Sequence, residues 1–161
     1  MRVVAVAASL GAACRGPEPE GWRVVPGRDA VTDAPTLVVT RGADSATRAE
    51  ALPWITVQCG PQGRAVALAV PDGVRPQETH YATLRMRWGT EAPTTERWFA
   101  TDDGQYLLPP DEDAFLRRVA VTRSLRVGYP TSSDESVAFF TPAMAAAVRD
   151  TLGKAPCRWR P

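Results

Sequence analysis

The sequence predicts a mainly β domain, an antiparallel β-sandwich or open barrel, with one short internal helix and a C-terminal helix. Three observations carry this expectation. Short runs rich in β-branched and aromatic residues recur at regular spacing, each bounded by Gly, Pro, Asp or Ser. One of them, "YATLRMRW" (residues 81–88), alternates apolar and polar side chains along its whole length, as a half-buried strand does. Only two segments carry helix start and stop signals.

The chain opens "MRVVAVAASLGAAC". Arg2 supplies a charged start, Val3 to Leu10 a short apolar run, and Gly11, Ala12 and Ala13 the small residues of a cleavage site. The run is much shorter than the roughly 20 residues a spanning helix needs. A Cys placed just after the small residues suggests a bacterial lipoprotein signal in which the Cys14 thiol is acylated. The competing reading is a first strand with Cys14 in the core. The following "RGPEPEG" is polar, Pro-rich and without apolar periodicity. It reads as a tether, for which a first strand gives no reason. The expected organisation is a signal peptide over residues 1–13, a linker over 14–21 and a β-rich envelope domain over 22–161.

Strands are expected at "TLVVTR" (36–41) and "WITVQC" (54–59), both short and β-branched. In "RAVALAV" (64–70), Val66, Leu68 and Val70 fall on one face and alanines on the other, and "PDGVRPQE" stops the run. In the next strand Ala82, Leu84, Met86 and Trp88 face one way, and Thr83, Arg85 and Arg87 the other. "GTEAP" is a loop and "TTERWFA" (94–100) returns. If this hairpin pairs symmetrically about its loop, Trp88 faces Thr94 and Arg85 faces Arg97. "SLRVGY" (124–129) and "ESVAFF" (135–140) flank the polar turn "PTSSD".

"PDEDAFLRRV" (110–119) has acids in its first turn and arginines in its last, which suits a helix dipole. In "TPAMAAAVRDTLG" (141–153), Thr141 is the expected N-cap, Pro142 sits in the first turn and Gly153 at the stop. Met144, Val148 and Leu152 form one apolar stripe, expected to face the core.

With Cys14 assigned to lipid, Cys59 and Cys157 remain as a pair. In an oxidising compartment they are expected to form a disulfide tying the chain's end to its middle. Their spacing fits neither a zinc site nor a CxxC redox motif.

The 161 residues allow one domain of about 140 after the signal and tether. The formal charge of +1 falls to zero when residues 1–13, which hold Arg2 and no acid, are removed. That balance gives no electrostatic case for nucleic acid or for anionic lipid beyond the N-terminal anchor.

Catalytic signatures are sparse. His80, the only histidine, lies at the start of a strand, where a structural or exposed role is the ordinary one. A Ser–His–Asp or Cys–His arrangement would have to use it, and no GxSxG elbow is present. One histidine is a poor basis for a transition-metal site. No GxxxxGK[ST] or GxGxxG motif supports nucleotide binding, and no cofactor is expected. The acid pairs Asp102–Asp103 and Asp111–Asp113 are of the kind that hydrolyses glycosides, but each sits where a turn or a helix start needs acids for local reasons. A surface remains. Arg85, Arg87 and Arg97 share the polar face of one hairpin. Like charges across a sheet cost stability unless an acid or anion lies between them. The patch is read either as a solvated face or as a docking site for an acidic partner.

Several stretches share an order with one known family: Trp22, "DAVTD" (29–33), "LPWITVQC" (52–59), "VALAV" (66–70), "LRMRW" (84–88), "RWFATDDG" (97–104), "SLRV" (124–127), "AFFTPAM" (138–144) and the closing "CRW" (157–159). In this order the chain resembles the VasI-like domain, found in proteins associated with bacterial type VI secretion and in exported proteins. That family pairs an apolar strand ending in Cys with a second Cys near the C-terminus, positions matched by Cys59 and Cys157. Its tyrosine–arginine–apolar–aspartate strand is matched only in part, as Met86, Arg87, Trp88 and Gly89. The resemblance implies an envelope-exposed accessory module and names no reaction. The expected function is an exported, lipid-anchored, non-enzymatic binding module of the periplasm or outer membrane, with an envelope or secretion-system protein as partner. The alternative is an envelope hydrolase using a carboxylate pair.

Overall fold

A computed structural model describes residues 21–76 and 79–160. The proposed signal and the site of lipidation, Cys14, lie outside the described residues. Ten strands and two helices follow in the order β1 (Trp22–Arg28), β2 (Pro35–Gly42), β3 (Ser45–Ala46), β4 (Trp54–Gly60), β5 (Gly63–Ala69), β6 (Tyr81–Trp88), β7 (Thr94–Ala100), β8 (Tyr106–Leu108), α1 (Glu112–Val121), β9 (Leu125–Pro130), β10 (Glu135–Phe140) and α2 (Ala146–Gly153). The strands form one antiparallel sheet in the order β1-β2-β4-β5-β8-β7-β6-β9-β10-β3, curled into a half-barrel. Of the two expected architectures, the open barrel is the one observed.

The concave side carries the core. Along β6, Ala82, Leu84, Met86 and Trp88 are buried and alternate with exposed neighbours, as the period-two pattern requires. Phe115 of α1 packs edge-on against Trp98 (ring centroids 4.9 Å apart) and Trp88 (5.7 Å). Val148 and Leu152 of α2, with Met144 just before it, join the same cluster. Fully burying an aliphatic or aromatic side chain of this kind contributes about 1.5–3 kcal/mol. On β5, Ala67 and Ala69 are buried as well as Val66 and Leu68. Ala69 lies in register between Trp54 and Tyr106, and Ala67 opposite Thr56, which is itself buried.

Three strands carry little sequence signal. β1 contains Pro26 and Gly27, which an end strand tolerates because one side of it makes no ladder bonds. β3 and β8 are only two and three residues long. β2 and β3 are separated by Ala43 and Asp44 alone, although β2 stands next to one end of the sheet and β3 forms the other. Polar contacts gather at this junction. The indole N–H of Trp22 donates to the Pro142 carbonyl (2.9 Å), Arg41 Nε donates to the Thr141 carbonyl (3.2 Å), and the Thr141 hydroxyl donates to Asp44 Oδ2 (2.6 Å). Arg41 also pairs with Asp44 Oδ1 (2.5 Å).

This seam corrects the expected start of the last helix. Thr141 is occupied at the junction, and the chain enters the helix only after Ala145, the N-cap, which has no side-chain capping bond. The Met144 N–H donates to the Ala120 carbonyl at the end of α1 (3.0 Å), holding the incoming segment away from helical geometry. The expected stop at Gly153 is observed.

Candidate functional site

The outer face of β7, β6, β9 and β10 is assembled by register. Thr83 lies opposite Arg97, Arg85 opposite Thr95 on one side and Gly128 on the other, and Arg87 opposite Arg126. Gly128 in turn faces Val137, and Arg126 faces Phe139. The expected Arg85–Arg97 pairing is therefore corrected by two residues. The β6–β7 ladder ends at Met86–Thr94, and Arg87 and Trp88 continue beyond it, paired on the other edge of β6 with Arg126 and Leu125 of β9. A two-residue shift preserves which side chains face outward, and Arg85, Arg87 and Arg97 are all exposed, with Leu84, Met86 and Trp98 buried.

Each arginine has its own surroundings. Arg85 Nη2 lies 3.5 Å from Glu135 Oε1. That carboxylate reaches it by crossing β9 at Gly128, where a Cβ would come within 2.9 Å of Oε1. Arg97 stacks its guanidinium over the Tyr81 ring, 4.0 Å from the centroid. Tyr81 meets Phe99 edge-on at 5.8 Å, and both residues are 36% exposed. His80 stacks on Phe99 at 5.9 Å, and its Nδ1 lies 3.0 Å from Asp102 Oδ1. Arg126 lies over Phe139 at 5.3 Å, within cation–π range. Among the described residues, no ion pair reaches Arg87 or Arg126. The strand positions on this face bring four arginines, Arg85, Arg87, Arg97 and Arg126, together with one acid, Glu135.

Arg126 was missing from the sequence-based set. Its alternation with Leu125 and Val127 puts it on a polar face, but its neighbour across the sheet is 39 positions away, and local pattern does not reveal such pairings.

Each of the acids proposed for hydrolysis has a partner of its own, Asp102 with His80 as above. Asp103 accepts from the Thr101 hydroxyl (2.5 Å) and the Gln105 N–H (3.0 Å), which hold its carboxyl below the usual range. Asp111 caps α1 by accepting from the Ala114 N–H (2.8 Å). Asp113 pairs with Arg64. A recess of about 480 Å³ beside the end of α2 is lined by Arg149, Asp150, Gly153, Lys154 and Trp159, and none of these four candidate acids lies in it. Among the described residues no group of three or more His, Cys, Asp or Glu side chains is placed to hold a metal ion, and no helix is long and apolar enough to cross a membrane.

Cys59, at the end of β4, is bonded to Cys157 after α2, with Cα atoms 5.0 Å apart across a separation of 98 residues. Both cysteines are buried. The bond fastens the tail beyond α2 to the second strand from β1. Comparison of the chain with protein-family models, with curated proteins and with solved structures finds no match, so its likeness to VasI-like domains rests on the residues quoted above.

Proposed function

We propose that this chain is an exported, Cys14-lipidated, non-enzymatic binding module of the bacterial cell envelope. It acts through the arginine face formed by Arg85, Arg87 and Arg97, in an accessory role of the kind VasI-like proteins have around type VI secretion. The observation that carries the reading is the Cys59–Cys157 disulfide. A buried bond of this kind persists in oxidising compartments and is rare in the cytosol. It thus agrees with the export signal read at residues 1–13. The binding part is supported by the exposure of Arg85, Arg87 and Arg97 on one sheet face, together with the local use of Asp103 and Asp111.

Envelope fractionation with N-terminal mass spectrometry tests the proposal. The expected result is membrane-associated protein beginning at a lipidated Cys14, and soluble periplasmic protein for Cys14→Ser. Cytoplasmic protein retaining Met1 would overturn it.

A further inference from the structure

Four arginines and one glutamate on one sheet face define a more specific ligand than a generally acidic partner. Arg85 is already matched by Glu135, and Arg97 lies against Tyr81. Arg87 and Arg126 are directly opposite one another on adjacent strands, both exposed. Side by side, two such groups repel at a cost of a few tenths of a kcal/mol or more, which an anion between them removes. Arg126 is steadied against Phe139, so its planar fork is partly ordered before any ligand arrives. Guanidinium forks of this kind match carboxylates bidentately.

We propose that Arg87 and Arg126 form the anion-binding centre of a docking surface for an extended acidic protein segment. The segment lies along β6, with one carboxylate between these two arginines and an apolar side chain against Tyr81 and Phe99. The inference rests on the binding-module reading and adds the partner's chemistry. Alternate residues of a strand are about 7 Å apart. Carboxylates two positions apart in an extended segment therefore match Arg87 and Arg85, the second competing with Glu135. Tyr81 is six residues from Arg87, about 20 Å along the strand, and its exposed edge and that of Phe99 give the segment an apolar end point. A bilayer would bring negative charge against Glu135 as well as the arginines. An extended segment presents discrete carboxylates in register with Arg87 and Arg85, and a neutral residue at the Arg85 position leaves the Glu135 pair intact.

The test is a titration of the purified, disulfide-bonded protein with a synthetic ten-residue peptide carrying Glu at alternate positions and a terminal Phe. The same peptide with Gln for Glu, and anionic phosphatidylglycerol vesicles, are the other arms. Binding of the Glu peptide is expected to weaken with salt. Its Kd should rise about tenfold or more in Arg87→Gln and again in Arg126→Gln, as for loss of charge-assisted hydrogen bonds. Arg87→Glu should prefer a peptide with Lys at the matching position. Circular dichroism checks that each variant is folded, and the peptide charge swap gives a reading in unmodified protein. Equal affinity for Glu and Gln peptides would overturn the proposal. So would unchanged binding by the folded Arg87→Gln/Arg126→Gln double variant, or vesicle binding that the Glu peptide does not compete. Fractionation decides the export reading separately, so either can fail while the other stands.

Discussion

At Gly128 the absence of a side chain lets the Glu135 carboxylate cross β9 and reach Arg85. A methyl group there meets only the far end of a flexible side chain. Gly128→Ala is therefore expected to change stability by less than about 1 kcal/mol, the scale of an exposed ion pair. It should tighten binding of the acidic peptide by releasing Arg85, and weaker binding would contradict this geometry. Gly104 behaves differently. Its φ is +69°, and an added Cβ would lie 2.5 Å from the Val74 carbonyl oxygen, a backbone atom. Val74 also donates its N–H to the Gly104 carbonyl (2.9 Å), so the two segments cannot separate without losing that bond. Gly104→Ala is expected to cost about 2–3 kcal/mol in urea unfolding. At this scale, local roles were legible in the sequence. Asp111 as a helix cap and Asp103 as a turn former depend on residues two or three positions away. Arg126 as the neighbour of Arg87 depends on the β6–β9 pairing, which no short window contains.

Among the elements, the β6–β7 hairpin was legible in its faces and misread in its register. Alternation fixes which side chains point inward, but it does not fix where the ladder ends: β6 runs two residues beyond its last partner in β7, Arg87 and Trp88 being paired with β9 alone. Leu84→Ala or Trp98→Ala should cost about 2–5 kcal/mol, because both side chains are fully buried. Arg85→Gln should stay within about 0.5 kcal/mol of the parent. A silent Leu84→Ala would show that the faces are reversed. The start of α2 was misread because Thr141 followed by Pro142 has the composition of a helix start, whereas the hydroxyl is bound by Asp44, nearly a hundred residues earlier in the chain. Partial burial pushes the Asp44 carboxyl up, yet the Thr141 hydroxyl and the Arg41 guanidinium outweigh that and hold it below the usual range. Thr141→Val should raise the Asp44 pKa in an NMR titration while leaving helix content nearly unchanged. Loss of helix content with no movement of the Asp44 pKa would restore the capping role.

For the molecule as a whole, the disulfide and the acid groups set the conditions of stability. Cys59→Ser/Cys157→Ser should destabilise the domain by about 2–5 kcal/mol, in line with a long loop closed by one bond. Intact masses with and without reductant should differ by two hydrogens, and free thiols at both positions after oxidising purification would refute the pairing. Asp29, Asp44 and Asp103 all titrate below the usual carboxylate range in the folded protein. Their contribution is present above the unfolded value, near pH 4, and is lost as pH falls through the lower folded values. The melting temperature should therefore be nearly flat from pH 7 to 5 and fall below about pH 4, less steeply in Asp44→Asn. A main loss of stability above pH 6 would point to other groups.

The two-residue link between β2 and β3 sets the curvature of the whole sheet. In the strand order, eight spacings separate these strands, a distance of about 38 Å if the sheet were flat, at about 4.8 Å per spacing. Gly42 to Ser45 is three peptide steps, which reach at most about 11 Å. The sheet must therefore bend until its far strand comes back beside its second. The link acts as a short chord under a long arc, and the length of that chord limits how far the half-barrel can open at this junction.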